Sequence, residues 1–481
     1  MWIGEIVQPH ILSKSTSGDD WADELLLAGP GHEICLTLDR DIDRDTLRAH
    51  VSAQQKTLMT AGLRPAGTVA LHLPPSLAYI AALLAAWRIG AQAMVLDYRL
   101  TEHEAERALT ALDPQLVVLP DRRPEARLTG YFGVTPVIRR RAGRPATTGH
   151  VLVQLSSGST GPSKFIARTA PSLIAELERY ARIPGYPDRG ERAVVIASPL
   201  HVLGLVGGLL HNLRAGVPTV LPKSLSVEGV LDAVAADSMP TTLLGVPSQA
   251  RMLVDSHHPG GGSGAARPAS GPARLDRMIT GGEALPATLR ERFTHAFGSD
   301  LGLMYGMTET GVLATDLTGT DLPRLTPAPG IEIREQGGEL LVALPESPYI
   351  GPVDPTRWAD GWLHTRDAGL VDAGNGRITV LGRCDSQVSV RGLKVDLGEI
   401  ERTLLEIPGV EAAVVLYEDK IEAFVSGAGD LRDLEINAIL RHQLARYKQP
   451  KALHVLREMP RTATGKPVRN LAILRSSAGT Q

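Results

Sequence analysis

Apolar positions along the first third of the chain alternate between two rhythms. From Leu47 to Ala61 they recur three and four apart, which predicts a helix, and Gly62-Leu63-Arg64-Pro65 then breaks the pattern. The short apolar run Thr68–Leu73 predicts a strand. Pro74-Pro75-Ser76 opens a second helix that reaches Arg88, with Gly90 in the C-cap position. A strand over Ala93–Leu96, a helix over Glu102–Leu112 and a strand over Leu116–Leu119 follow. Strand–helix–strand repetition of this kind implies a mostly parallel sheet covered by helices.

The alternation resumes beyond a glycine-rich segment at 156–164. It predicts strand Ala193–Ala197, helix Leu203–Arg214, strand Thr219–Leu221, helix Val227–Ala235 and strand Thr242–Val246. His258–Arg274 is rich in Gly, Ser, Ala and Pro without any period, and reads as a mobile surface loop. From Ile331 to Val390 strands dominate, punctuated by turn signals at Glu335-Gln336-Gly337-Gly338 and Gly374-Asn375-Gly376. Beyond that come helix Leu397–Leu405, strands Ala412–Leu416 and Glu422–Val425, helix Leu431–Leu444 and strand Lys451–Leu456. That is enough for a separate α+β domain of roughly 95 residues. No internal repeat is present.

Composition narrows the class without choosing a function. A chain of 481 residues fits two or three domains, and 43% hydrophobic with 21% charged residues is normal for a globular protein. A net charge of −3 leaves no electrostatic footprint for nucleic acid or an anionic membrane. The run Arg139-Arg140-Arg141 reads as solvated surface. Two cysteines, Cys35 and Cys384, cannot build a disulfide framework, so a reducing cytoplasm is expected. The N-terminus does not read as a signal peptide. The longest apolar stretches, Ala78–Ile89 and Val202–Leu210, are shorter than the ~20 residues of a membrane-spanning helix, so no membrane insertion is expected.

Candidate chemistry begins at the glycine-rich segment. The β-like run Val151–Leu155 ends in Ser156-Ser157-Gly158-Ser159-Thr160-Gly161-Pro162-Ser163-Lys164. Such a loop can present backbone N–H groups and hydroxyls to phosphate oxygens, with Lys164 supplying countercharge and the glycines permitting close backbone approach. By composition alone it could equally be a flexible turn. It is not a Walker A loop, because neither glycine begins Gly-x-x-x-x-Gly-Lys-Ser/Thr.

The same segment resembles the phosphate-binding loop of the adenylate-forming superfamily. That superfamily includes acyl- and aryl-CoA synthetases, nonribosomal peptide adenylation enzymes and luciferases. Six further segments resemble its signatures in the right order. Thr280-Gly281-Gly282-Glu283 is similar to the adenine-side Gly-Gly-Glu turn, and Tyr305-Gly306-Met307-Thr308-Glu309 to the Tyr-Gly-x-Thr-Glu signature. The resemblance implies Tyr305 against adenine, Thr308 on the α-phosphate and Glu309 on Mg2+. Gly361–Asp367 and Gly382-Arg383-Cys384-Asp385 follow, with Asp367 implied to hold the ribose and Arg383 to reach ribose and phosphate. Ser389–Glu401 resembles the start of the family's small domain, and Thr462-Ala463-Thr464-Gly465-Lys466 the loop carrying its catalytic lysine.

The resemblance therefore implies an α/β fold. Residues 1–384 form a large domain of helix-covered sheets with a strand-rich subdomain, and 385–481 a small mobile α+β domain hinged at Asp385. It implies ATP- and Mg2+-dependent conversion of a carboxylic acid to an acyl-adenylate, with Lys466 bridging the carboxylate and the ATP oxygens. Transfer to a thiol of CoA or of a carrier protein supplied in trans would follow after a domain rotation. Two alternatives remain: an amine or other non-thiol acceptor, and a nucleotide-binding relic without activity. Where the family usually has Thr-Gly-Asp, this chain has Thr365-Arg366-Asp367. Ser198–Gly204 corresponds to the segment lining the acid pocket, and Val202 stands where enzymes of α-amino acids place an aspartate. An aryl or aliphatic acid is expected instead, in a pocket drawn from His201, Val202, Gly207, Val246, Ser248 and Met304.

Overall fold

In the computed structural model the described residues are 20–122, 130–131, 133–156, 164–256, 275–351, 353–384, 386–427, 433–460 and 467–478. Their large domain is layered helix–sheet–helix–sheet–helix. In the first sheet the order is Pro136–Arg140, Leu116–Pro120, Thr68–Leu71, Gln92–Val95, His150–Ser156, Lys164–Thr169, with parallel pairing in the middle and an antiparallel strand at each edge. The second sheet has a parallel core of Ile34–Thr37, Thr219–Val220, Arg192–Val195, Thr241–Gly245, Leu275–Gly281 and Asp300–Met307. From Gly311–Asp316 onward the same sheet continues antiparallel, through Arg324–Pro327, Ile378–Arg383, Trp362–Val371, Glu339–Ala343 and Ile333–Gln336. The strand-rich region is thus hydrogen-bonded to the parallel sheet rather than separate from it.

Helix Leu77–Arg88 lies between the two sheets, and every residue from Tyr79 to Trp87 is buried. Its sequence is apolar all round, as a helix enclosed on every side requires. Alternate strand residues divide between the layers as the two-residue period of a strand dictates. Val69, Leu71, Ala93 and Val95 join the inner core with this helix, whereas Ala70, Met94 and Val117 pack outward on Glu102–Leu112. On the second sheet Val194, Leu243, Met278 and Leu301 face the outer helices Val227–Ala235, Pro247–Ser256 and Ala287–Phe297.

Helices Val227–Ala235, Glu102–Leu112 and Leu397–Leu405 have the bounds expected from periodicity. The segment expected to be one α-helix from Leu203 to Arg214 is a π-helix over Leu203–Leu210 followed by an α-helix over His211–Ala215. Gly204, Gly207 and Gly208 let it sit close to neighbouring groups, since a Cβ on Gly204 would lie 2.4 Å from the Ser198 carbonyl oxygen. The expected loop His258–Arg274 lies outside the described residues. Among the described residues no helix is long and apolar enough to cross a membrane.

The smaller C-terminal unit holds a hairpin of Gln387–Val390 and Leu393–Asp396, and a sheet of Val410–Tyr417, Ile421–Gly427 and Ala452–Val455. It meets the large domain through a buried ion cluster. Lys448 Nζ lies 2.9 Å from Glu104 Oε1 of the large domain and 3.1 Å from Glu399 Oε1 of its own. Burial alone would lower the Lys448 pKa, but Tyr447 and the two carboxylates raise it above the ordinary lysine value. Glu104 serves twice, because its other oxygen caps its own helix by accepting from the Thr101 N–H.

The cysteines differ sharply in environment. Cys35 is 3% exposed, and burial pushes its thiol up to about 11, while Cys384 is exposed. Because the thiolate is the nucleophile, iodoacetamide at about pH 8 should label Cys384 and spare Cys35 in the native protein. Peptide mass spectrometry checks this, and equal labelling of both sites would contradict the fold around Cys35.

Candidate functional site

The parallel strands of both sheets end on one cavity, as expected for α/β sheets, where ligands bind beyond the carboxyl ends of the strands. Val95 and Asp97 reach it from one strand, Gln154 and Leu155 from another, and Ile196, Ala197, Ser198, His201 and Val202 from a third. Val246, Gly281, Gly282, Met304 and Gly306 complete the strand-end wall. Thr308 and Glu309 line the cavity from the turn after Asp300–Met307, and Arg383 lines it from the antiparallel extension. The small domain adds Gln387, Arg391, Gly392, Leu393, Lys394, Tyr447 and Lys448.

Of the pocket positions expected from sequence, His201, Val202, Val246 and Met304 face the cavity, and Gly207 and Ser248 do not. Asp367 and Tyr305 sit one layer behind the wall. Tyr305 Oη donates to Asp367 Oδ2 at 2.7 Å, and Arg383 Nη1 donates to Asp367 Oδ1 at 3.0 Å. Asp367 and Arg383 face each other across paired strands, which explains why two segments sixteen residues apart in sequence converge. Burial, with Asp367 next in effect, holds the Tyr305 hydroxyl well above the usual tyrosine range, so it stays a donor.

Glu283 does not line the cavity. Its Oε1 accepts from Ser389 Oγ at 3.1 Å and from the Gly392 N–H, which ties the Gly-Gly-Glu turn to the small domain. The tip of that hairpin is Arg391-Gly392, with φ of +52° and +78°, the two-residue turn that matches strand twist. A Cβ on Gly392 would lie 2.6 Å from Val246 Cγ1. Backbone at the hairpin tip therefore sits directly against a residue of the expected acid pocket.

The expected phosphate loop joins paired strands, with Ser156 opposite Lys164 at its base. The side chains of Ser156 and Lys164, and all of Ser157, Gly158, Ser159, Thr160 and Gly161, lie outside the described residues. So do Asp385 and Lys466. None of the described residues on either side of Lys466 lines the cavity, although hairpin residues 391–394 do.

Several partners escape motif reading. Tyr349 Oη donates to Glu309 Oε1 at 3.1 Å, and burial followed by that carboxylate raises the tyrosine pKa. His201 Nε2 lies 3.2 Å from Arg99 Nη2 and 3.6 Å from Asp97 Oδ2. Burial would raise the Asp97 pKa, but Arg99 and His201 hold it well below the usual carboxylate range. The Arg99 guanidinium also lies 5.4 Å from the Tyr447 ring, so one side chain touches the pocket histidine and the small domain together. Asp97 was findable, because it follows a parallel strand at the end where ligands bind. Tyr349 and Tyr447 carry no such signal.

Arg366 takes φ +61°, the left-handed conformation that favours glycine. Its guanidinium turns to the Thr356 carbonyl and its N–H donates to Glu339 Oε1 at 2.8 Å, so the side chain stays out of the cavity wall. Arg366→Gly should change stability by less than about 1 kcal/mol, because relieved strain offsets the lost bond. Arg366→Val should cost about 2 kcal/mol, since a β-branched residue resists positive φ. Denaturant titration checks the order, and equal losses would remove backbone conformation as the cause.

A divalent cation fits the arrangement. Among the described residues no three His, Cys, Asp or Glu side chains gather. Glu309 at the cavity wall has one oxygen engaged by Tyr349. One carboxylate at the cavity wall suits Mg2+, which is commonly held by one or two carboxylates, substrate phosphates and water.

The family model for AMP-binding enzymes matches residues 30–341. The chain belongs to the AMP-binding enzymes of the adenylate-forming superfamily. It is an adenylate-forming ligase. The model for the AMP-binding enzyme C-terminal domain matches residues 399–466. Among curated members of the family, a methyl-dioxo-octahydroindenyl-propanoyl:CoA ligase of Mycobacterium tuberculosis is 28% identical over 92% of this chain and 96% of its own. A probable 2-succinylbenzoate–CoA ligase of Mycobacterium tuberculosis is 30% identical over 78% of this chain and 94% of its own. Among solved structures, a double mutant of the Bacillus subtilis o-succinylbenzoate CoA synthetase, bound to a CoA product analogue, superposes with a TM-score of 0.79. It is 21% identical and covers 95% of this chain and 98% of its own. The same synthetase in complex with AMP gives 0.63, at 21% identity and 94% and 98% coverage. At this identity both similarities bear on the fold.

Proposed function

We propose that the chain is an acid–thiol ligase. It activates an aryl or aliphatic carboxylic acid with ATP, releases pyrophosphate, and passes the acyl group from the adenylate to the thiol of CoA or of a carrier protein. One observation carries the reading: a single cavity at the strand ends is lined by Thr308, Glu309, Gly281, Gly282 and Arg383 on one side and by His201, Val202, Val246 and Met304 on the other. The first group suits a nucleotide and the second an apolar acid.

A carboxylate is a poor electrophile, and the obstacle to activating it is bringing two anions together. Positioning and fixed charge must therefore carry the step. The phosphate loop Ser156–Gly161 with Lys164 would hold the outer phosphates, Thr308 the α-phosphate, and Lys466 both the acid and the ATP oxygens. Glu309 would hold Mg2+, which would neutralise phosphate charge. Asp367 would take the ribose, fixed in place by Tyr305 and Arg383, and the Gly281-Gly282 backbone would border adenine. Bond formation between the acid oxygen and the α-phosphorus expels pyrophosphate. Thiol attack on the acyl carbon then expels AMP.

The domains are taken as 1–384 and 385–481, with Asp385 as the hinge. The domain orientation fits the second half-reaction: hairpin residues 391–394 line the cavity, and the described residues flanking the loop of Lys466 do not. The better superposition on the CoA-analogue form of the synthetase than on its AMP form supports this. An α-amino acid is disfavoured because Val202 offers its ammonium no partner, and a buried unpaired charge is costly.

Acid-dependent pyrophosphate exchange tests the first half, across benzoic, cinnamic, fatty, β-amino and α-amino acids. Exchange is expected with an aryl or aliphatic member and not with α-amino acids. Adding CoA or carrier protein should then yield a thioester. Release of AMP with formation only of an amide would assign a different acceptor.

A further inference from the structure

Resting on the adenylation reading, we propose that Arg179, Glu176 and Arg168 are positioning residues: their buried cluster holds the turn that carries Thr308 and Glu309 in place for the ATP phosphates. Met307 and Gly311 face each other across paired strands, so Thr308, Glu309 and Thr310 form the short connection between them. Thr308 and Glu309 line the cavity. So short a turn has no core of its own, and its backbone must be fixed from outside. Arg179, on helix Ala170–Tyr180, does this. Its Nη1 donates to the Thr310 carbonyl at 3.3 Å and to the Val312 carbonyl at 3.4 Å, on either side of Gly311. Gly311 takes φ +77°, and a Cβ there would overlap the Glu176 carboxylate, which therefore packs against the bare Cα.

Glu176 is fully buried, and Arg168 Nη2 lies 2.9 Å from its Oε2. Arg179 stands one helical turn further on and is its next electrostatic partner. Arg168 is anchored in turn by Ser172, whose Oγ and carbonyl oxygen accept from Nε and Nη2, each at 3.0 Å. It belongs to strand Lys164–Thr169, so the cluster joins that strand, the helix and the turn. Burial pushes the Glu176 carboxyl up from its ordinary pKa, and Arg168, then Arg179, oppose that. Enclosing such groups is costly, and apolar side chains of similar volume often stabilise a fold as well or better. Apolar side chains could fill this space, but they could not donate to the two carbonyls flanking Gly311. Fixing the orientation of the turn is what the polar version adds. A misplacement of about 1 Å caused by a remote change can cost about 10²-fold in rate, so support of this kind has a large effect.

A triple apolar variant, Arg168→Met with Glu176→Leu and Arg179→Met, tests the proposal in the purified full chain. Its denaturation midpoint should stay near wild type or rise, while kcat for pyrophosphate exchange falls about 10- to 100-fold. Thioester formation from a prepared acyl-adenylate should stay within about threefold of wild type, because pyrophosphate and its contacts have already left. Arg179→Lys is a second arm that stands whether or not the triple variant folds. It keeps the charge beside Glu176 but replaces the planar fork with a point donor, and exchange should fall about three- to tenfold at an unchanged midpoint. Exchange at the wild-type rate in a folded triple variant, or in Arg179→Lys, overturns the inference and leaves adenylation intact. Equal loss of both half-reactions also overturns it, because that marks a structural role alone. Absence of exchange by the wild-type chain with every acid instead sinks the adenylation reading and takes this inference with it.

Discussion

Lys466→Ala should reduce acid-dependent pyrophosphate exchange by about 10²–10³-fold, the scale on which one fixed charge or donor at a developing anion acts. Thioester formation from a chemically prepared acyl-adenylate should stay within about threefold of wild type. The asymmetry follows from the charges involved. Adenylation brings a carboxylate against a polyanion, and the lysine is the cation proposed to neutralise both. Thiol attack on the finished adenylate starts from a neutral acyl carbon and needs no such bridge. Separate assays of the two half-reactions decide the matter. Surviving exchange would remove Lys466 from its assigned role, and equal loss of both steps would point to damage to the fold.

The fold was legible where periodicity was strong. Glu102–Leu112 combines an amphipathic stripe with the Thr101…Glu104 capping pattern, and both ends were readable. Leu203–Leu210 was not, because an apolar glycine-rich run carries no mark that separates a π-helix from an α-helix; its packing against the strand ends decides. The cavity-lining residues Gly281, Gly282, Thr308, Glu309 and Arg383 could be named beforehand because each belongs to a contiguous signature. Tyr349, Arg99 and Lys448 reach the site from long range, and their partners lie 40, 102 and 344 residues away. Nothing local in the chain announces such pairings. Arg366 shows the limit of motif reading in the other direction. It departs from the usual glycine, yet it takes a left-handed backbone, the conformation that favours glycine.

Gly392→Ala should produce the reverse of the Lys466 phenotype. The added methyl would stand 2.6 to 3.1 Å from three atoms of Val246. Contacts that close to a branched, half-buried side chain force a shift, and overpacking of this size costs about 1–3 kcal/mol. Positive φ at residue 392 strains the alanine wherever the small domain sits, so that part acts on stability alone. The clash exists only while the hairpin tip rests on Val246 and the Gly392 N–H reaches Glu283. It therefore disfavours this domain orientation specifically, and 1–3 kcal/mol corresponds to a loss of about 5- to 150-fold. Thioester formation should fall by that amount while pyrophosphate exchange, which is proposed to use the other orientation, stays near wild type. Val246→Ala in the same chain makes room for the methyl and should restore most of the loss. A Gly392→Ala enzyme impaired equally in both half-reactions, or not rescued by that second change, would break the link between this orientation and acyl transfer.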